Sequence, residues 1–416
     1  MIQALRSLFT PLLCLIILTL GNSLVTTYYS LRLHDLGSDS FIVGALSTAY
    51  YGGMLLAAFK SGEFIFRVGH IRAYAAFAST LAVATMMHGL YINGIFWIFL
   101  RLIDGIAIGG LYVVIESWIL TNSHNENRGQ ILAIYMVALY IAQALGQFLL
   151  NIGQLDSLVP YAVATIFASL SVIPLAMTKT PSPEFDEPSN LSVTKLFQTS
   201  PSGVITCTVS GLILGCVYGL LPIYLTDSGY SVSQLSFLMG ITIFGGMLLQ
   251  YPIGKLSDII KRRTVISALG VFSAIIAILM LIMAPYYSIF SGLLFLFGGL
   301  TFTMYPVGIS HTCDRVESKD IVSATQGLLL AYSLGAMIGP VIAPIFISIF
   351  GSSGLMIYFV LLSILLGVFA AWRKTQTKAP LEEDKQDFAA AMPLTPVAVE
   401  LDPRAEEDNL DNAQNN

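Results

Sequence analysis

The pentapeptide Gly52-Gly-Met-Leu-Leu56 occurs a second time, as Gly245-Gly-Met-Leu-Leu249, roughly 190 residues further along the chain. Both copies lie in the second apolar run of their half of the sequence, and a basic segment follows each of them. A shorter string, Gly-Gly-Leu, recurs with a similar offset at Gly109–Leu111 and Gly298–Leu300, in the fourth run of each half. Because string, offset and position agree, the sequence predicts two parallel repeats of six helices with a site between them.

The composition places these repeats in a membrane. Of the 416 residues, 55% are hydrophobic and only 11% are charged, whereas a soluble domain carries about 25% charged residues. A helix needs about 20 apolar residues to cross the hydrocarbon layer. Twelve runs meet this need, at residues 9–31, 41–59, 73–91, 94–118, 131–151, 157–177, 202–225, 232–252, 264–283, 286–309, 322–348 and 353–372. The sequence therefore predicts an all-α membrane protein with twelve transmembrane helices.

The positions of the basic residues predict the orientation. If both termini are cytoplasmic, the cytoplasmic segments hold 18 of the 20 Lys and Arg residues. The outside loops then hold only Arg32, and Arg101 lies within a span. This segregation follows the positive-inside rule, so we expect both termini in the cytoplasm. We further expect a monomer that spans a bacterial inner membrane several times.

The same pattern divides the chain into four parts. Two six-helix bundles, 1–177 and 202–372, are joined by a cytoplasmic linker, 178–201, which is rich in Pro, Ser and acidic residues. Residues 373–416 hold ten acids and five bases, so the whole net charge of −5 lies in this segment. We expect it to form a disordered acidic cytoplasmic tail.

The sequence lacks the motifs of an enzyme, a metal site or a nucleic-acid interface. It contains neither a Gly-x-x-x-x-Gly-Lys-Ser/Thr string nor a His-Glu-x-x-His string. Its four cysteines and five histidines are scattered without metal-binding spacing. The net charge is negative and no long basic block occurs. We therefore expect no catalytic activity, metal or cofactor, and the partners are a small molecule and the lipid bilayer.

The basic segment after the second pentapeptide is the most specific motif. It reads Gly254-Lys-Leu-Ser-Asp258-Ile-Ile-Lys-Arg262-Arg263, and it resembles the loop between the second and third helices of a half in the major facilitator superfamily. The resemblance covers roughly residues 8–372. It implies a secondary transporter that works by alternating access. The resemblance implies that this loop locks the inside gate. Asp258 is then expected to pair with Arg262 or Arg263, or to lie at the N-terminus of a facing helix.

The first-half copy of this motif is degenerate. Gly62, Arg67 and Gly69 match the family pattern, but Phe66 stands where the family usually has Asp. The resemblance implies a gating role for these residues too, without the charge that would lock that side. The run from Arg101 to Trp118 is similar to a YcaD-type branch of the family.

A third element of the resemblance lies on helix 11. Gly335, Gly339 and Pro340 resemble a Gly-x-x-x-Gly-Pro motif that is usually found on helix 5 of antiporters. Helix 5 here keeps only Gly146, so the motif does not support antiport. We expect the three residues on helix 11 to allow close helix packing.

Three ionisable residues fall within helix 4, where buried charge is costly and usually functional: Arg101, Asp104 and Glu116. Arg101 and Asp104 are three residues apart and therefore share a helix face. A carboxylate whose surroundings change during transport can carry a proton, so this pair predicts proton coupling; the alternative is a structural ion pair. Glu116 lies nearer the cytoplasmic end. It either carries a proton or forms a gate ion pair with an arginine: Arg67, Arg72 or Arg128.

Polar and aromatic residues supply the substrate-binding candidates. Helices 1, 4, 7 and 10 line the cavity in the resembling family, which implies substrate contacts for Asn22, Tyr112, Tyr218 and Tyr305; Tyr135 on helix 5 is a further candidate. Tyrosines also collect at membrane interfaces for reasons unrelated to substrate. The expected function is proton-coupled transport of a small organic solute. The alternatives are an uncoupled facilitator, or a receptor or assembly protein on a transporter fold.

Overall fold

The computed structural model describes residues 2–121, 123, 127–177, 193–316, 320–376 and 386–405. Every regular element in these ranges is helical. The first half contains α1 (Ile2–Asp35), α2 (Ser40–Val68), α3 (His70–Leu90), α4 (Gly94–Thr121), α5 (Arg128–Phe148), α6 (Val159–Leu170) and α7 (Val172–Ala176). The second half contains α8 (Val193–Thr199), α9 (Pro201–Gly219), α10 (Leu221–Asp227), α11 (Val232–Ile259), α12 (Arg262–Met283), α13 (Tyr287–Cys313), α14 (Ile321–Phe350), α15 (Gly354–Gln376) and α16 (Pro396–Glu400).

The helices confirm the twelve predicted spans. By length and hydropathy, the described residues hold eleven membrane-spanning segments, and the last of them, Ile321–Gln376, contains both α14 and α15. Gly351 separates these two helices with a positive φ of 66°, which favours glycine. The seventh span is broken between α9 and α10, because Pro222 has no N–H to donate to the preceding turn. In the linker, residues 178–192 lie outside the described ranges.

The two halves repeat the same helix pairs, as the recurring glycine strings predict. Helix α2 packs on α4 in the first half, and α11 packs on α13 in the second. A Cβ at Gly53 would lie 2.2 Å from the carbonyl oxygen of Leu102, and one at Gly245 would lie 2.0 Å from that of Phe295. Each half thus has a close backbone contact at this crossing, made by the second glycine of the first copy and by the first glycine of the second copy.

The halves meet along α2 with α14 and along α5 with α11. We call the end of the bundle that contacts residues 386–404 the tail face, and the other end the closed face. Near the closed face, three pairs join the halves. The Thr48 hydroxyl donates to Met337 O at 2.7 Å, the Asn151 amide donates to Ser236 Oγ at 2.9 Å, and His34 Nε2 lies 2.9 Å from Asp227 Oδ1. These contacts shut the bundle at this end.

The expectation of a wholly disordered tail is wrong for residues 386–404. This segment lies between the halves at the tail face, and Leu401, Val397 and Val399 are buried there. The physical reason is that its charges are unevenly spread. Residues 388–399 contain no charged side chain, and the acids flank them on both sides. The segments 377–385 and 406–416 lie outside the described residues.

Candidate functional site

A central cavity lies between the halves, and none of the described side chains that line it carries a charge. Its free volume is about 70 Å³. The residues that line it come from both halves and from the tail: Asn22, Ser23, Thr26, Tyr50, Tyr51, Met54, Tyr112, Tyr140, Gln143, Gln147, Leu214, Tyr218, Phe302, Tyr332, Met392, Pro393 and Leu394. The walls therefore offer aromatic rings, hydroxyls and amides, which suit a solute that both stacks and hydrogen-bonds.

Hydrogen bonds hold several of these side chains in place. Asn22 Nδ2 donates to the Tyr50 hydroxyl at 3.0 Å. The Tyr218 hydroxyl donates to Gln143 Oε1 at 3.2 Å, and this bond crosses from one half to the other. Gln147 Nε2 donates to Ser23 Oγ at 2.8 Å. A bound solute that replaced the Tyr218–Gln143 bond would contact both halves at once.

The five predicted substrate contacts divide into two groups. Asn22, Tyr112 and Tyr218 line the central cavity. Tyr135 and Tyr305 do not; they line a smaller cavity beside the tail. Tyr305 lies three residues beyond Phe302 on α13, so it shares a helix face with a lining residue but sits one turn closer to the tail face. Substrate contact stays a prediction for all five. The sequence reasoning did not select Tyr50, although an aromatic pair on helix 2 was visible.

A buried charged cluster lies beside the cavity. Arg101 Nη1 is 3.4 Å from Asp104 Oδ2, which confirms the expected pairing of these neighbours on α4. The same carboxylate oxygen is 3.9 Å from His88 Nε2 on α3. All three side chains are at most 3% exposed. Asp104 Oδ1 has no hydrogen-bond partner among the described residues, so one oxygen of the carboxylate is free to take a proton.

His88 completes this cluster, and the sequence reasoning missed it. His88 Nδ1 lies 2.8 Å from the carbonyl oxygen of Ala84, so this nitrogen carries a hydrogen. In the neutral ring, Nε2 is then an acceptor that faces Asp104. Tyr29 stacks on the imidazole at 4.2 Å and fixes its plane. The available signal was a histidine inside an apolar run, but its partner lies on another helix.

One aromatic ring separates the cluster from the cavity. The Arg101 guanidinium lies 4.0 Å from the centre of the Tyr50 ring and 5.3 Å from that of Tyr29. The Tyr50 hydroxyl reaches Asn22 in the cavity wall. A change in the charge of Asp104 can therefore reach the cavity through Arg101 and Tyr50.

The expected gate ion pair of Glu116 is wrong. Its side chain is fully buried, and within the described part of the chain no basic group pairs with it. Its Oε1 accepts a hydrogen bond from the Tyr135 hydroxyl at 2.5 Å, and its Oε2 accepts one from the Thr395 hydroxyl of the tail. Of the expected arginine partners, Arg128 instead donates to the carbonyl oxygen of Glu400 at 3.3 Å. Glu116 thus points into the bundle, where it meets one hydroxyl of α5 and one of the tail.

The motif that begins at Gly254 forms the expected ion pair and also binds the tail. Arg262 lies 3.1 Å from Asp258 and 3.3 Å from Asp314. Burial raises the pKa of the Asp314 carboxyl, and the charge of Arg262 opposes this rise. Arg263 donates to the carbonyl oxygen of Arg373 at 3.1 Å. The pairing of Asp258 with Arg262 is confirmed, whereas its role in gating stays a prediction.

The other predicted gating and packing residues occupy two places. Gly62 and Arg67 lie near the end of α2, and Gly69 follows it with a φ of 86°. On α14, a Cβ at Gly335 would lie 2.3 Å from Thr208 O, and one at Gly339 would lie 2.3 Å from Leu212 O. These two glycines therefore let α14 approach α9.

The last of these residues, Pro340, lies on α14 where this helix crosses to the first half. A Cβ at Gly44 of α2 would be 2.0 Å from its carbonyl oxygen. At Gly335, Gly339 and Pro340 the backbone of α14 thus lies close to a neighbouring helix, and the part these residues play in transport stays a prediction.

Comparison with known proteins gives concordant matches. The family model of the Major Facilitator Superfamily matches residues 12–199 and 203–404. An uncharacterized MFS-type transporter YcaD of Salmonella arizonae is 31% identical over 337 residues, which are 79% of this chain and 86% of that protein. The protein of the same name from Escherichia fergusonii is 31% identical over 334 residues, 78% of this chain and 85% of that protein.

Solved structures share the fold at low identity. A variant of the nucleoside transporter NupG superposes with a TM-score of 0.72 and 15% identity, covering 88% of this chain and 99% of that one. A bacterial homolog of the human lysosomal transporter Spinster, in an inward-facing and occupied conformation, also has a TM-score of 0.72 and 15% identity. It covers 91% of this chain and 97% of that one.

Proposed function

We propose that this chain, which belongs to the major facilitator superfamily of membrane transporters, moves a small organic solute by alternating access and couples the movement to protons. It is a multi-pass integral membrane protein. In the proposed arrangement it acts as a monomer in a bacterial inner membrane, with both termini and the tail face in the cytoplasm. The proton gradient drives transport, and no cofactor takes part. It works as a carrier and not as an enzyme.

One observation carries the proposal of alternating access. A cavity with polar and aromatic walls lies between two similar six-helix units, and three side-chain pairs join these units near the closed face. At the closed face, short side chains make the joining bonds, such as the pair between Asn151 and Ser236. Such bonds break at small cost, because water can replace each partner. The two units can then tilt and expose the cavity to the other side.

Proton coupling is supported by the cluster of Arg101, Asp104 and His88. When Asp104 is ionised, its negative charge holds the guanidinium of Arg101. When Asp104 Oδ1 takes a proton, this attraction is lost. The positive charge of Arg101 then acts more strongly on the Tyr50 ring and the cavity wall. Loading of the proton thus changes the cavity that binds the solute. His88 Nε2 accepts the proton or returns it, since it faces the same carboxylate.

The chemistry of the walls limits the solute. Among the described residues no charged side chain lines the cavity, so this part of the wall would not neutralise an anion. Arg101, Asp104 and Glu116 sum to −1 when all are ionised, which disfavours a polyanion. We therefore propose a neutral or cationic solute that carries a flat ring for stacking on tyrosine and several hydrogen-bonding groups.

Uptake into proteoliposomes under an imposed pH gradient tests the proposal. The solutes would be a panel of neutral and cationic ring compounds, nucleosides among them. We expect at least one to accumulate only with the gradient, and Asp104→Asn to abolish the accumulation while it leaves exchange across the membrane. The exposed Asp156→Asn is the matched control. Equal flux with and without the gradient would establish an uncoupled facilitator, and no flux of any solute would favour a receptor or assembly protein.

A further inference from the structure

We propose that residues 386–404 are an internal inhibitor that docks between the two halves and blocks the central cavity. The tip of this segment reaches the cavity wall itself, where Met392, Pro393 and Leu394 are lining residues. With the tip in place, the free volume is about 70 Å³, whereas small-molecule sites have roughly 300–1,000 Å³. A solute of ordinary size therefore enters only after the tip has left.

The docked segment is bonded to both halves. In the first half, the Thr395 hydroxyl donates to Glu116 on α4, and Arg128 on α5 donates to the carbonyl oxygen of Glu400. In the second half, Gln250 on α11 donates to the carbonyl oxygen of Ala391 at 3.1 Å. Contacts to both units define a site of fixed geometry for the segment.

A buried arginine completes the docking in the second half. Arg404 Nη1 donates to Ser310 Oγ on α13 at 2.8 Å, and Nη2 pairs with Asp402 at 2.5 Å. Burial lowers the pKa of Arg404, but the neighbouring acidic groups, Asp402 above all and Asp314 as well, together hold the pKa above its usual value. Arg404 therefore stays charged, and the segment brings its own counterion into the bundle.

The segment also occupies the gate motif. The Phe388 N–H donates to Asp258 Oδ2 at 3.2 Å, and the Gln386 N–H donates to Asp314 Oδ1 at 3.2 Å. Arg262 donates in turn to the carbonyl oxygen of Gln386. The ring of Phe388 covers Gly254, where a Cβ would lie 2.2 Å from it. Asp258, Arg262 and Asp314 are thus bonded to the tail. The first half would have to reach these groups for this face to close.

These contacts predict how inhibition works. Closing the tail face would bring α4 and α5 toward α11 and α13, and the segment lies between them. The bundle therefore stays open at this face, with its cavity filled, until the segment leaves. Only the nine residues 377–385 join the segment to α15, so its effective concentration at the site is on the order of millimolar. Docking is a property of the chain, whereas the block of transport rests on the proposed function.

Labelling of a cavity thiol tests the docking. The four native cysteines are buried, and Thr26 lines the cavity, so Thr26→Cys supplies a probe thiol for a charged maleimide. We expect removal of residues 386–416, or Leu394→Asp in the full chain, to raise the labelling rate about tenfold or more. The exposed Asp387→Ala should leave the rate unchanged. Equal rates in all four proteins would overturn the proposal.

Two further measurements keep the proposal testable if the shortened chain does not fold. A short bis-maleimide should join Gln250→Cys to Ala391→Cys in the full chain, and this link should keep the thiol at position 26 protected even with Leu394→Asp present. A synthetic peptide of residues 386–404 should restore protection to the shortened chain, whereas the same peptide with Leu394→Asp should not. No link and no protection would refute docking. Because labelling needs no solute, its result is independent of whether the chain transports anything.

Discussion

The pair of Arg101 and Asp104 allows a test that separates a structural role from proton coupling. The change is to neutralise the pair in steps, as Arg101→Gln, Asp104→Asn and the double variant. Both side chains are buried, and their closest atoms are 3.4 Å apart. Loss of one partner leaves a buried charge without its counterion, whereas loss of both leaves none.

The geometry of the pair gives the expected loss of stability for each variant. Removing one member of a buried ion pair typically costs about 3–5 kcal/mol. Asp104→Asn should lie at the low end, because Arg101 keeps its contact with the Tyr50 ring at 4.0 Å, a contact of about 0.5–2 kcal/mol. In the double variant the two losses should not add, and we expect a coupling energy of about 2–3 kcal/mol between the sites.

Thermal unfolding of the four proteins in detergent measures this coupling. The double variant should lose about 2–3 kcal/mol less stability than the sum of the two single losses. Additive losses would refute the idea that the two charges compensate each other. Transport by the double variant then tests the proposed proton coupling. If the folded double variant still accumulates a solute under a pH gradient, Asp104 is structural, and the proposed coupling is wrong.

Three other substitutions test the fold and the closed face. Gly335→Ala should cost about 1–3 kcal/mol, because its Cβ would meet Thr208 O at 2.3 Å. Gly62→Ala should be neutral or stabilising, because a Cβ there would have no atom of the described residues within 4 Å. Chemical unfolding compares the two variants, and equal effects would contradict the packing argument. His34→Ala removes the pair with Asp227, whose side chains are 29% and 34% exposed, so it should favour opening of the closed face by no more than about fivefold. Distances between spin labels on the loops 153–158 and 228–231 would report this opening, and an unchanged distribution would show that the pair does not hold the halves together.

The helices and the ion pair within α4 could be predicted because they depend on local patterns. A span needs a long apolar run, and the chain has such runs at regular intervals. Arg101 and Asp104 share a face of one helix, so their spacing alone brings them together. The glycines of the repeated pentapeptide mark a close crossing wherever they occur. None of these inferences needs knowledge of which helices are neighbours.

The errors concern contacts between distant parts of the chain. His88 reaches Asp104 only because α3 packs on α4, and nothing in the spacing of the two residues shows this. Glu116 was expected to meet an arginine, since several lie near the same end of the bundle. The structure places tyrosine and threonine hydroxyls there, and one of these comes from a residue 279 positions away.

The tail shows how an average can conceal a binding segment. Its net charge of −5 indicates a solvated chain end, but all its acids lie outside residues 388–399. A window of twelve residues without charge, with Val397, Val399 and Leu394 at its end, is apolar enough to enter a protein cavity. The flanking acids do more than keep the chain end in water, because one of them, Asp402, is bonded to Arg404 and holds it in its buried position. Charge counted over short windows would have separated the docked segment from its flanks. Where that segment binds depends on the cavity between the two halves, which the sequence of the tail does not show.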